Sequence, residues 1–370
     1  MIPPGGKLAS TMFNSTSGIR VFLKSRFELI ASFAIIKQNM IDVLKPPSLQ
    51  KGDTIGIVAT SLPLPIKEFP NDPYIQEYKK GINELELMGF KIKEGKNLSK
   101  VKWWFAGTPK ERAEDINSMF ADPEVKAIIV HEGGQSAVAI LEYISYELVR
   151  KNPKPFVGFS DITNLHIAMF TKAGIVGFQG PLLTYSLGRV WEQFLPQKKH
   201  EGLQLFYKSL TARESIGKIK PLTKWETWRA GKAQGQLFGG NGSYLAGLTG
   251  TEYFPKIQDL KGCILFWEVD NTGSYNIEKW LYQLKYSGLL GVISGMLIGK
   301  LPDIQRTAWK GFEEPTPKEI IMEIIKDYDF PVIGDFDFGH KTVTIPMPIG
   351  LKVKMDADNL DFEIQEAAVE

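Results

Sequence analysis

The sequence predicts an α/β protein: a doubly wound, mostly parallel sheet domain, followed by a smaller strand-rich α/β domain. Three observations carry this expectation. From about residue 50 to 181, short apolar runs alternate with amphipathic helical patterns, the signature of a parallel sheet with crossover helices. Beyond about residue 230 strand-like runs predominate. The 370 residues are enough for two domains, each with its own core.

The elements follow in order. "DTIGIVAT" (53–60) reads as a buried strand and "PYIQEYKKGINELELMGF" (73–90) as an amphipathic helix. "GTPKERAEDINSMF" (107–120) opens with a full helix-start signal: Thr108 as cap, Pro109 in the first turn and Glu111 three residues after the cap. "VKAIIV" (125–130) is a strand, a Gly-Gly loop follows, and "AVAILEYI" (137–144) is helical. Next come the strand "PFVGF" (155–159), a helix from Asp161 to about Ala173, and "GIVGFQGP" (174–181).

Residues 186–230 break this rhythm. Rich in aromatic and charged residues, they read as a linker and loop region between a domain at 44–185 and another at 231–370. In the latter, "CILFWEV" (263–269), "GVISGMLIGKL" (291–301) and "FPVIGDFDFGH" (330–340) are strands, and "TPKEIIMEIIKDY" (316–328) is a helix capped by Thr316 and Glu319. The tail reads as a β-hairpin turning at Asp356 to Asn359. Residues 1–43 read as a disordered or mis-annotated extension, with the start expected at Met40. Their apolar run 27–36 is too short to span a bilayer, although Arg20, Lys24 and Arg26 before it imitate a targeting segment.

Composition excludes several classes. Lys plus Arg is 44 against 42 for Asp plus Glu, a net charge of +2, and no basic stripe with interleaved aromatics points to nucleic acid. A single cysteine, Cys263, precludes an internal disulfide framework and fits a reducing compartment, so a cytoplasmic location is expected. The four histidines stand apart at 131, 166, 200 and 340, so no metal site and no cofactor is expected. No G-x-G-x-x-G follows the first strand, which counts against a dinucleotide-binding protein.

In open parallel sheets ligands gather beyond the carboxyl ends of the strands. Polar residues placed there form a short set: Glu132 with Gly133 and Gly134, Ser160 with Asp161, Glu268, and Asp337 with His340. A hydroxyl, an imidazole and a carboxylate are the parts needed for acyl transfer, since serine needs a base and the carboxylate holds the base's tautomer. Spacing alone leaves other readings open. Ser160 also suits a helix cap, Glu268 a solvated strand end, and His340 a turn. The order Ser, Glu, His is that of α/β-hydrolases, but Ile162 stands where a G-x-S-x-G elbow has its second glycine. His131 begins a loop and His166 lies within a helix of core-type residues.

The motifs in sequence resemble the LD-carboxypeptidase family of serine peptidases, which includes the microcin C immunity peptidases. "LKPPSLQKGDTIGIVATS" (44–61) is similar to the family's opening strand and "FAGTPKERAEDIN" (105–117) to its next helix start. "EGGQSAVAILEYI" matches its Gly-Gly loop, and "KPFVGFSDITNLH" its nucleophile turn. "GQLFGGNGSYLAGLTGTEYFP" (235–255), "ILFWEV" and "GDFDFGHKTVTIPMPIG" resemble its second-domain motifs, so the likeness spans about residues 44–352. The resemblance implies Ser160 as nucleophile, Glu268 as triad carboxylate and His340 as base, brought together from two domains. It also implies oxyanion donors at the Asp161 amide and the Gly133–Gly134 loop, and a homodimer.

The implied substrates are small: a murein tetrapeptide losing its terminal D-Ala during cytoplasmic recycling, or a peptidyl or aminoacyl nucleotide. Family members of the first kind commonly carry Arg-Gly-Gly-Tyr-Gly where this chain has Glu132-Gly133-Gly134-Gln135-Ser136. That loop is nearer the immunity branch, while the carboxypeptidase reading names the family at large. Trp225 and Trp228 lie where the immunity branch carries tryptophans that stack on a base; packing under a loop is the other reading of both. An inactive binding protein of the same fold is a further alternative, against which stands the presence of all three triad residue types.

Overall fold

A computed structural model describes residues 41–64, 69–194, 196–270, 272–301 and 315–370. All but the last three residues of the expected extension 1–43 lie outside the described residues.

The first sheet has six strands. β1 (Thr54–Val58), β2 (Lys91–Glu94), β3 (Val125–Val130), β4 (Phe156–Gly158) and β5 (Gly177–Gln179) run parallel in the order β5-β4-β3-β1-β2. The apolar runs of β1, β3 and β4 are continuous because helices cover the faces of a parallel sheet. β1, β3 and β4 are almost wholly buried. The second sheet has eight strands, taken from β6 (Gly217–Ile219), β7 (Glu226–Arg229), β8 (Lys232–Asn241), β9 (Ile264–Glu268), β10 (Gly295–Gly299) and β11 (Val332–Phe336). After these come β12 (Met347–Ile349), β13 (Lys352–Asp356) and β14 (Asp361–Ile364). β8 to β11 are parallel neighbours, flanked by antiparallel β7 on one side and the β13–β14 hairpin with β6 on the other. β12 instead pairs antiparallel with β5, so the chain returns to the first sheet before completing the second.

The expected fold class is the one found. The start signals at Thr108 and Thr316 form full capping boxes, and the helices run Pro109–Ala121 and Pro317–Ile324. The hairpin turns where expected, with Asp356 Oδ1 accepting from the amides of Asp358 and Asn359. "AVAILEYI" forms a 3₁₀ segment, Ala137–Tyr143, rather than an α-helix.

Residues 186–230 are not the linker and loop region that their composition suggested. They hold the end of a π-helical segment Leu183–Val190, the helices Trp191–Phe194 and Lys199–Thr211, and strands β6 and β7. The interspersed charges misled the reading. Phe206 and Leu210 are buried on one face of a helix that also carries Lys199, Glu201 and Lys208, and β6 and β7 are edge strands that need little apolar sequence. β8 was not anticipated, because its glycines dilute the strand pattern.

The π-helical segment packs along the helix Pro73–Leu87 through two glycines. A Cβ on Gly188 would overlap the carbonyl oxygen of Glu77, and one on Gly81 that of Leu183. Beside them Arg189 Nη1 donates to Glu77 Oε2 at 2.8 Å. Among the described residues no helix is long and apolar enough to cross a membrane. Because the obstacle at Gly188 is backbone, Gly188→Ala should destabilise the protein by about 2 kcal/mol or more. Urea unfolding at fixed m-value checks this; an unchanged midpoint contradicts the close packing.

Candidate active site

Ser160 stands just beyond β4, at the mouth of the helix Thr163–Ala173, in a left-handed conformation with φ 66°. That backbone is strained for a side chain with a Cβ, by ~1–3 kcal/mol, and persists only where the surroundings fix it. Ile162 is accommodated at the elbow's second-glycine position because Gly158 leaves its side chain room: a Cβ there would lie 3.0 Å from Ile162 Cγ1. The serine does not cap the helix, since no side-chain capping bond is made at either helical start. Its Oγ lies 3.2 Å from His340 Nε2 instead.

His340 follows β11 by four residues, and its Nδ1 lies 2.8 Å from Glu268 Oε2, at the end of β9. A carboxylate only accepts, so the ring proton belongs on Nδ1 and Nε2 is left to accept from Ser160. Glu268 is fully buried rather than solvated, and its other oxygen accepts from Asn241 Nδ2 at 3.0 Å. The Asn241 amide in turn donates to Thr163 Oγ1 at 2.9 Å, tying the end of β8 to the helix after Ser160. Tyr185 Oη donates to the His340 carbonyl at 2.9 Å, and the rings of Phe159 and Tyr185 flank the imidazole at 4.8 and 5.8 Å.

Burial pulls the His340 pKa down, yet the Glu268 carboxylate, with Asp270 and Glu132 further off, more than offsets it; the net direction is up. His131 and His166 are pulled down to about 4 by burial and are held by the Leu62 and Gly158 carbonyls. His166 lies among core residues as expected, and His131, read as the start of a loop, is buried as well.

The Gly133–Gly134 loop lies against the serine. A Cβ on Gly133 would sit 3.3 Å from Ser160 Cβ, and one on Gly134, at φ 156°, would meet Ser61 Cβ at 2.5 Å. Tyr244 Oη donates to the Gly134 carbonyl at 2.7 Å. Glu132 is buried beside the loop: Oε1 accepts from the Gly133 amide at 3.2 Å, and Oε2 has no partner among the described residues. Burial pushes its carboxyl up to about 7 against the pull of Arg189. Asp161 is also fully buried, its side chain turned towards Ser61, Ser136 and Ala137.

The two tryptophans pack along the β7 edge of the second sheet. Trp225 is buried in the second sheet, stacked on Phe336 at 4.0 Å, with Nε1 donating to Asp337 at 2.8 Å. This matches the packing alternative. Trp228 is half-buried on edge strand β7, over Gly334 and under the ammonium of Lys318. Asp337 is the hub of that region. It accepts from the amides of Leu222 and Thr223, the Thr223 hydroxyl and Trp225, bracing the loop that carries His340. Sequence reasoning missed Asn241, Tyr185, Ser61 and Thr163. Only Asn241 had a signal, in the "FGGNGS" motif that closes β8.

A serine at a strained strand-to-helix turn, facing a histidine–carboxylate pair, is the layout of hydrolases that work through an acyl-enzyme. Comparison with known proteins makes the assignment particular. The LD-carboxypeptidase N-terminal domain model matches residues 55–180, and the LD-carboxypeptidase C-terminal domain model matches residues 234–355. The chain is 34% identical over 312 residues to a probable murein peptide carboxypeptidase of Bacillus subtilis, covering 84% of this chain and 91% of that one. It is 29% identical to the microcin C7 self-immunity protein MccF of Escherichia coli, covering 86% and 94%. MccF solved in complex with glutamyl sulfamoyl guanosine superposes with a TM-score of 0.77 at 27% identity, over 88% of this chain and all of that one. The chain therefore belongs to the LD-carboxypeptidase family and is a peptidase.

Proposed function

We propose that this chain is a serine peptidase of the LD-carboxypeptidase type, hydrolysing the amide at the C-terminal end of a small peptide. The observation that carries the reading is the buried hydrogen-bonded chain from Ser160 through His340 to Glu268. Ser160 Oγ attacks the scissile carbonyl carbon while its proton passes to His340 Nε2. The imidazolium gives that proton to the leaving amine as the C–N bond breaks. Water, activated by the same imidazole, then hydrolyses the acyl-enzyme. Glu268 fixes the tautomer and stabilises the imidazolium, with Asn241 holding its second oxygen. The Asp161 amide and the Gly133–Gly134 loop supply the oxyanion donors.

The substrate we propose is the murein tetrapeptide, with D-alanine released in a cytoplasmic recycling step; the Bacillus relative named for murein peptide supports it. A second reading, cleavage of an aminoacyl-nucleotide carboxamide, is favoured by the Glu132-Gly133-Gly134-Gln135-Ser136 loop and by MccF being solved with such ligands. Incubation with L-Ala-γ-D-Glu-meso-diaminopimelate-D-Ala and, separately, with an aminoacyl sulfamoyl adenosine, read by mass spectrometry, divides the two. Release of D-Ala is expected, and Ser160→Ala should abolish it together with fluorophosphonate labelling. Cleavage of the nucleotide analogue alone overturns the substrate.

Gly134→Val should lower turnover by ~10²-fold or more, as losses of an oxyanion donor do; full activity in that variant removes the loop from the role. The pH profile tests the base. His340 works only when neutral, so kcat/KM rises with pH through its pKa. Because that pKa is raised, the limb lies above the ordinary histidine value of about 6.5. Glu268→Gln removes the main raising charge, so the limb should move to lower pH while kcat falls by ~10³-fold or more. An unmoved limb would falsify the partnership.

A further inference from the structure

The Asp161 carboxylate is spent on the loop opposite the nucleophile. Its Oδ2 accepts from the Ser61 hydroxyl, from the Ser136 amide at 3.2 Å and from the Ala137 amide at 3.1 Å. Ser61 Oγ itself accepts from the Ser136 amide at 2.9 Å, so the two side chains grip one stretch of backbone together. Oδ1 has no partner among the described residues and faces the Gly-Gly turn, 3.5 Å from where a Cβ of Gly133 would sit. The buried guanidinium of Arg112 completes the cluster, donating to Ser136 Oγ and to the Gly107 carbonyl, each at 2.9 Å.

These bonds join three strand ends: Ser61 after β1, Ser136 and Ala137 after β3, and Asp161 after β4. The loop 132–136 belongs to no strand, so side-chain and amide bonds, not a sheet ladder, set its distance from Ser160. Asp161 is the residue next to Ser160, so nucleophile and loop share one anchor. Burial raises the Asp161 pKa against the pull of the Ser61 hydroxyl and the loop amides. Arg112 supplies the nearby positive charge.

Resting on the serine-peptidase reading above, we propose that the Asp161 side chain is a positioning residue. It holds the Gly133–Gly134 loop at the separation from Ser160 that an oxyanion requires, acting through Ser61 and Ser136. It touches no reacting atom, and its effect belongs to the transition state rather than to substrate binding.

The test compares Asp161→Ala, Asp161→Asn and Ser61→Ala in the full chain. It measures kcat and KM on whichever of the tetrapeptide and the aminoacyl sulfamoyl adenosine the wild type cleaves, with the fluorophosphonate labelling rate alongside. Asp161→Ala should lower kcat by ~10²-fold with KM within about threefold, and slow labelling in parallel. Asp161→Asn should recover to within about tenfold of wild type, because its carbonyl can accept from the same three donors. Ser61→Ala should lower kcat by about tenfold at constant KM. A folded Asp161→Ala enzyme with wild-type kcat overturns the inference, as does an asparagine variant no better than alanine. If Asp161→Ala does not fold, an unchanged kcat in Ser61→Ala overturns it instead. A wild type that cleaves neither probe and is not labelled at Ser160 overturns the serine-peptidase reading and this inference with it. An active wild type matched by its Asp161→Ala variant overturns the inference alone.

Discussion

One imidazole must satisfy two partners that stand on different sheets. His340 lies within reach of Ser160, beyond β4 of the first sheet, and of Glu268, at the end of β9 in the second. Those contacts exist only if the sheets hold a fixed register to within a few tenths of an ångström. The chain meets that demand covalently as well as by packing. β12 completes the first sheet and, after a two-residue turn, β13 runs into the second, so the segment following His340 belongs to both. Around that crossing the Gly350 amide donates to the Leu237 carbonyl and the Leu237 amide to the Leu351 carbonyl, both at 2.8 Å. The bond from Asn241 to Thr163 makes a second tie near the reacting end.

The site is buried and polar, which raises the stakes of every contact in it. A buried carboxylate without partners costs several kcal/mol, whereas one with fixed donors strengthens them in return. Glu268 and Asp337 follow the second pattern, each oxygen being matched to a donor. Asp337 works one step removed from the chemistry: by gathering Leu222, Thr223 and Trp225 it clamps the strand that leads into Gly339 and His340. The aromatic stack of Trp225 on Phe336 adds apolar burial to the same clamp.

Ser160, Glu268 and His340 were readable because each is a polar residue at the end of an apolar run, and strand ends are where an open sheet presents its chemistry. Position could not separate a cap or a solvated glutamate from a hydrogen-bonded partner; only the meeting of β4, β9 and β11 ends does that. Ser61, Thr163 and Tyr185 left no trace, since a hydroxyl on a loop or helix has the same local pattern whether it faces water or a buried carboxylate. The crossing of β12 was illegible for a related reason: three apolar residues fit either sheet, and the choice is made by pairing with β5 far away in sequence. Trp225 shows the same limit from the other side: position left it open between stacking on a base and packing under a loop, and only its burial against Phe336 favours packing.

The electrostatic setting of His340 follows from the same geometry. Burial alone would favour the neutral ring, which is what a base needs at rest but leaves the imidazolium of the reacting state uncompensated. Three carboxyl groups oppose that tendency, Glu268 by contact and Asp270 and Glu132 from further away. Their placement differs in consequence. Glu268 has both oxygens held, while Asp270 is largely exposed, with an oxygen 3.8 Å from Nε2, so solvent screens it. Glu132 is buried and its carboxyl is pushed up to about 7, so near neutral pH it is divided between charged and neutral forms. The field felt by the base thus has a part set by contact with Glu268 and a part that grows as Glu132 ionises. Because the growing part favours the imidazolium, the ionised form of Glu132 and the protonated form of His340 stabilise each other.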